Sequence, residues 1–203
     1  ASCSVCFLHL IAFSVLGLVP KPPVDQIVAL MAQAESGDSA SQLKLGFAYD
    51  AGHGVMKDAV EAAKWFRKAA EQGDALAHIN IAFMLDQGRG VPKDVVAATA
   101  MFRKAAIQGQ PIAQNALGLM YDQGLGVAPD PVESCAWYEL SLSRGFEPSK
   151  SPHAGLLARL SKPQLAAVEE RVRQLRKEMS DDNPGLSVRE DVRKMREETL
   201  SMA

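Results

Sequence analysis

The chain has 203 residues, 47% of them hydrophobic, and a formal net charge of −2. That apolar content can fill a substantial core, and glycine and proline are too ordinary in amount for a disordered chain. The near-neutral balance, with no basic stripe, argues against a nucleic-acid partner.

Residues 1–20 contain no Asp, Glu, Lys or Arg. The apolar run from Val5 to Val19 reads as the core of a secretory signal peptide, with Val15 and Gly17 small enough for cleavage after Gly17. An uncleaved single-pass anchor is the alternative, since the run approaches bilayer-spanning length. Either reading places the rest of the chain outside the cytoplasm, periplasmic or secreted. Cys3-Ser4-Val5-Cys6 has C-x-x-C spacing but sits in this apolar segment, without the strand-helix setting that tunes a redox pair. Lys21-Pro22-Pro23 reads as a linker. Residues 24–37 align with the second half of the unit that follows and are expected to cap it, so that 21–38 forms an N-terminal half-repeat.

The next 108 residues state one 36-residue pattern three times, at 39–74, 75–110 and 111–146. Asp50, Asp86 and Asp122 fall in register. So do Gly52/Gly54, Gly88/Gly90 and Gly124/Gly126, then Asp58, Asp94 and Asp130, and finally Gly73, Gly109 and Gly145. A fixed period in this range signals stacked units, none of which can cover its own apolar face. Each unit reads as two helices. Asp38 is positioned as an N-cap for the first, and Asp58 with Glu61 as a capping box for the second. Pro111 and Pro131 fit first helical positions. Gly46, Ala82 and Gly118 share one helical position, and Ala62, Ala98 and Ser134 another. Small residues there permit close helix approach. Trp65, Trp137, Phe66, Phe102 and Tyr138 supply the bulk between units.

After Phe146 the register is lost. Residues 147–151 read as a polar loop and 152–160 as a short helix. Ser161 with Gln164 reads as a capping box, opening a helix over 162–179 whose apolar stripe is Leu165, Val168, Val172, Leu175 and Met179. The stripe suits a C-terminal cap on the third unit, and alternatively a dimerising seam. Residues 181–185 break the chain, and 187–200 read as a mobile tail or as a helix that folds on a partner.

Gly46 to Tyr49, Asp50 to Val55, Asp58, Trp65-Phe66 and Ala69 to Gly73 together resemble the Sel1-like repeat (SLR), a relative of the tetratricopeptide repeat. The resemblance covers 39–146. It implies an all-α fold, a right-handed α/α solenoid of three 36-residue helix-turn-helix repeats between N- and C-terminal capping helices. It also implies a protein-binding scaffold, with the first helix of each unit lining a concave face, and it does not imply a reaction. Some members staple each repeat with a cysteine pair. This chain lacks those pairs.

The expected partner contacts are the positions on those first helices that change character between units. They are Lys44/Asn80/Ala116, Phe47/Phe83/Leu119 and Ala48/Met84/Met120, with Lys44, Phe47, Asn80, Phe83, Met84, Leu119 and Met120 as the site. No cofactor, metal site or catalytic group is expected, because His9, His53, His78 and His153 share no ligand spacing. Ser41-Gln42-Leu43-Lys44 has the S-x-x-K spacing of penicillin-recognising enzymes, which would place a lysine amine beside a serine nucleophile. Lys-Thr-Gly is absent, so the spacing reads as ordinary repeat surface, and a hydrolase acting on cell-wall or β-lactam substrates is only the alternative. The leading reading is an adaptor or regulator of the cell envelope. A self-assembling subunit is a third.

Overall fold

The computed structural model describes residues 24–182. The export segment, Cys3, Cys6, the linker and the 187–200 helix lie outside them. Among the described residues there are nine α-helices and no strand. A first helix, α1 (Val24–Glu35), precedes three hairpins: α2 (Ser39–Ala51) with α3 (Ala59–Glu71), α4 (Ala75–Gln87) with α5 (Val95–Ile107), and α6 (Pro111–Gln123) with α7 (Pro131–Ser143). Then come a short 3-10 turn, Glu147–Ser149, and helices α8 (Lys150–Leu157) and α9 (Lys162–Asp182). Each helix through α7 packs on the next, and α9 lies across α7 and reaches α5.

The repeated aspartates set the helix starts. Asp38 accepts from the Ser41 amide at 2.8 Å, and Asp74 from Ala77 at 2.8 Å. Asp58, Asp94 and Asp130 cap the second helices in the same way. The expected reciprocal half of the Asp58 box is not made. The Asp58 amide donates to the Tyr49 carbonyl, and the Glu61 carboxylate pairs with Lys64 at 2.6 Å. The amides of Asp94 and Asp130 donate likewise to Leu85 and Tyr121, so one turn geometry serves three times. Ser161 and Gln164 do form their expected contact, with the Ser161 amide donating at 3.0 Å.

The first helices stop at Gly52, Gly88 and Gly124, all left-handed, with φ of 76°, 68° and 69°. In the second and third repeats the second glycine of the turn serves contact between repeats. A Cβ on Gly90 would stand 2.2 Å from the Ala59 carbonyl oxygen, and one on Gly126 2.5 Å from that of Val95. Those two turns therefore abut the preceding repeat's second helix with bare backbone.

Inside the hairpins the small residues behave as their positions predict. A Cβ on Gly46 would meet the Phe66 ring at 2.6 Å, and one on Gly118 the Tyr138 ring at 2.7 Å. Ala62, Ala98 and Ser134 are wholly buried, and Ser134 donates to the Gly118 carbonyl at 2.6 Å. The aromatic pairs Phe47–Phe66 and Phe83–Phe102 meet edge-on at 5.1 and 5.0 Å.

The C-terminal region departs from expectation in one respect. The segment 147–151 is a 3-10 turn leading into α8, whose helix begins at Lys150. On α9, Val168, Val172, Leu175 and Met179 are all buried against the solenoid. Arg171 bridges Glu133 of α7 and Glu178 of its own helix. The 162–179 stripe is thus consumed within the chain, which corrects the reading of it as a dimerising seam. No described helix is long and apolar enough to cross a membrane.

Candidate protein-binding surface

The first helices are more deeply packed than their composition suggests. Between Ala77 and Met84 every residue of α4 is buried. Asn80 and Phe83 are each 8% exposed, Met120 4% and Met84 not at all. Met84 belongs to the core with Phe66, and Met120 to the core with Trp137. Asn80 turns its amide to the Leu76 carbonyl at 2.7 Å. These four candidate contacts are packing residues, because every inner first helix is clasped by a second helix on each side. Lys44 is exposed, and Phe47 and Leu119 are half-buried. Ala48 and Ala116 are buried.

What the first helices do expose lies one turn nearer their N-termini. Leu76 and Ile112 are 46% and 44% exposed and share one repeat position, at which the first unit carries exposed Ala40. Leu76, Asn80 and Phe83 follow one another at helical spacing, so Leu76 extends the predicted stripe outward to solvent. Comparing the second residue of each first helix picks out Ala40, Leu76 and Ile112 as a register position, but their exposure is set by the packing.

A second row lies on the second helices, where Val60 and Val96 are 51% and 66% exposed. Between α3 and α5 an open cleft of about 680 Å³ is walled by Ala70, Glu71, His78, Arg103 and Lys104. His78 forms its inner wall. It is 3% exposed, and its Nδ1 lies 2.9 Å from the Asp74 carbonyl oxygen. Burial pushes its pKa below the ordinary value, against a smaller opposing effect of that hydrogen bond. No motif marks this cleft, because three helices from two repeats build it.

The serine–lysine spacing does not produce a serine–lysine site. Ser41 is 3% exposed and its hydroxyl donates to Gln33 at 3.2 Å, while Lys44 faces solvent. Cys135 is buried, and desolvation, with a further push from Glu139, raises its thiol to about 11. Among the described residues no cluster of His, Cys, Asp or Glu is arranged to hold a metal ion.

The Sel1 repeat family model matches residues 39–74, 75–110 and 111–146. Among solved structures, a Sel1 repeat protein from Oxalobacter formigenes is 36% identical, with a TM-score of 0.60 over 64% of this chain and 98% of that one. A protective antigen present in uropathogenic Escherichia coli strains, displaying an SLR fold, is 27% identical, with a TM-score of 0.58 over 86% of this chain and 45% of that one. No curated protein matches. Sel1 repeats generally mediate protein–protein binding, and the fold is typically a non-enzymatic scaffold. Three consecutive matching repeats, stacked with the packing described above, make this chain a member of the Sel1 repeat family of α-solenoids.

Proposed function

We propose that the chain is an exported adaptor of the cell envelope that holds a partner protein against its first-helix face. The carrying observation is the row of Leu76 and Ile112, apolar, exposed and in repeat register, with exposed Lys44 on the same set of helices. Large apolar side chains held outward by a rigid scaffold are what a partner can bury. Phe47 and Leu119 border the row and are half-covered already.

The export half of the reading rests on the uncharged apolar segment 1–20. It is tested by fractionating the source cells and reading the mature N-terminus, with cleavage after Gly17 as the expected result. The adaptor half is tested by crosslinking capture from an envelope extract. Leu76→Asp with Ile112→Asp should abolish enrichment of the captured partner while leaving helicity unchanged. A capture that survives both substitutions would place the contact elsewhere. The hydrolase reading draws no support from the buried, hydrogen-bonded Ser41.

A further inference from the structure

The cleft between α3 and α5 has a repeat-related copy that is already filled. Moved forward by 36 residues, His78 becomes Gln114, Ala100 becomes Ala136, and Lys104 becomes Leu140. Ala100 and Lys104 are exposed, whereas Ala136, Leu140 and Gln114 are at most 2% exposed. Helix α9 makes the difference. Its Met179 sulfur stands 3.8 Å from the Gln114 amide nitrogen, and its Glu178 accepts from Arg103 at 3.2 Å. The valine row agrees: Val96 is 66% exposed, while its counterpart Val132, on the helix that α9 covers, packs against the core.

The chain carries a second copy of the segment that does the filling. At an offset of 20 residues, 188–199 (VREDVRKMREET) repeats 168–179 (VEERVRQLRKEM), with six of twelve positions identical. Val188, Val192 and Met195 fall on Val168, Val172 and Leu175, and Glu198 falls on Glu178. The open groove offers matching chemistry. Arg67 stands there in the register of Arg103, the partner of Glu178. Where the segment changes Arg171 to Asp191, the groove changes Glu133 to Ala97, and its flanking helix carries Lys64 in place of Ala100.

We propose that residues 188–199 of a second copy of this chain dock as a helix in the α3–α5 groove, in the place α9 holds between α5 and α7. Reach decides for a second copy. To lie parallel to α9 one repeat back, Val188 must return about 21 Å along the helix from Asp182, at a rise of about 1.5 Å per residue. It must also shift sideways by about 10 Å, the spacing of packed helices. The six steps from Asp182 to Val188 span at most about 22 Å when straight, short of the roughly 23 Å that the two displacements make together. Reciprocal exchange between two copies has no such limit and closes as a two-fold dimer.

The test is sedimentation equilibrium of the full chain across a concentration series, with amide hydrogen exchange at 70–78 and 100–108. The expected result is a dimer. Arg67→Glu or Glu198→Arg alone should raise its dissociation constant about tenfold, and the two together should restore it. Val192→Asp with Met195→Asp should give a monomer with faster groove exchange, melting no lower than the wild-type chain diluted to monomer. A wild-type monomer at every concentration would overturn the proposal. So would a dimer indifferent to Val192→Asp with Met195→Asp, or a charge exchange that fails to rescue.

Discussion

Arg89, in the turn of the second repeat, donates to the Asp50 carboxylate at the end of the first repeat's first helix. Arg159, just beyond α8, reaches Asp122 of the third repeat in a similar way at 3.4 Å. The C-terminal cap therefore borrows a contact that one repeat makes to its predecessor. Leu125 occupies the Arg89 register position in the third repeat, so the turn there cannot offer Asp86 the same ion pair.

The Arg89–Asp50 pair is only partly exposed, so it should exceed the usual yield of a surface ion pair. In urea denaturation, Arg89→Ala and Asp50→Ala should each cost about 1 kcal/mol. The double variant should cost clearly less than their sum, because each single change leaves the other charge without its partner. Strict additivity would mean that the pair is energetically idle.

Gly118 and Gly155 predict opposite outcomes for the same substitution. Gly118→Ala drives a methyl group into the Tyr138 ring, which is only 1% exposed, and should cost about 1–3 kcal/mol by overpacking. Gly155 lies in α8 with nothing near its missing Cβ. Gly155→Ala should be neutral or stabilise by up to about 1 kcal/mol through helix propensity. Thermal melting of the two variants side by side is the check.

Burial holds the pKa of His78 and of His153 below the ordinary 6.5. The unfolded chain then binds more protons than the folded one as pH falls through 6.5, so stability is present above that value and lost below it. Asp74 opposes the shift at His78 and Glu139 at His153, while Lys104 adds to it at His78. The urea midpoint should therefore drop between about pH 7 and pH 5, and His78→Gln should flatten part of that drop. An unchanged slope in the variant would remove His78 from the explanation.

Cys135 is wholly buried, and its thiol is raised to about 11, so almost no thiolate exists at neutral pH. Iodoacetamide should leave the Cys135 peptide unmodified in the native chain and label it within minutes in denaturant. Peptide mapping by mass spectrometry reads the result. Fast native labelling would show that the third repeat opens readily.

Trp137 and Trp65 share a repeat position, but Trp137 is wholly buried and Trp65 is partly exposed, with Lys68 placed 4.0 Å over its ring. The covering element is α9. Leu175→Ala removes a wholly buried side chain from it and should cost about 2–5 kcal/mol. The tryptophan emission should shift to the red before the helical signal falls, if α9 detaches first.

The sequence alone determined the repeat unit, its two helices and the places where they start and stop. Those are local matters. An aspartate side chain satisfies amides two or three residues away, and a glycine ends a helix through its own backbone. Repetition at 36 residues then determined that the units stack, since no unit can bury its own apolar face. The close helix approach at Gly46 and Gly118 was legible for the same reason, but Phe66 and Tyr138, read as bulk between units, fill the space against those glycines inside their own hairpins. Only the tertiary structure decided which apolar residues remain in water. Phe83, Met84 and Met120 have the same character in sequence as Leu76 and Ile112. Two flanking second helices, one of the same unit and one of the unit before, bury the first three, while the other two sit at helix starts beyond that clasp. The stripe of α9 was equally ambiguous between cap and seam, because an amphipathic helix encodes a face and not what covers it. Its covering by α7 and α5 depends on contacts more than thirty residues apart in the chain, such as Arg171 with Glu133.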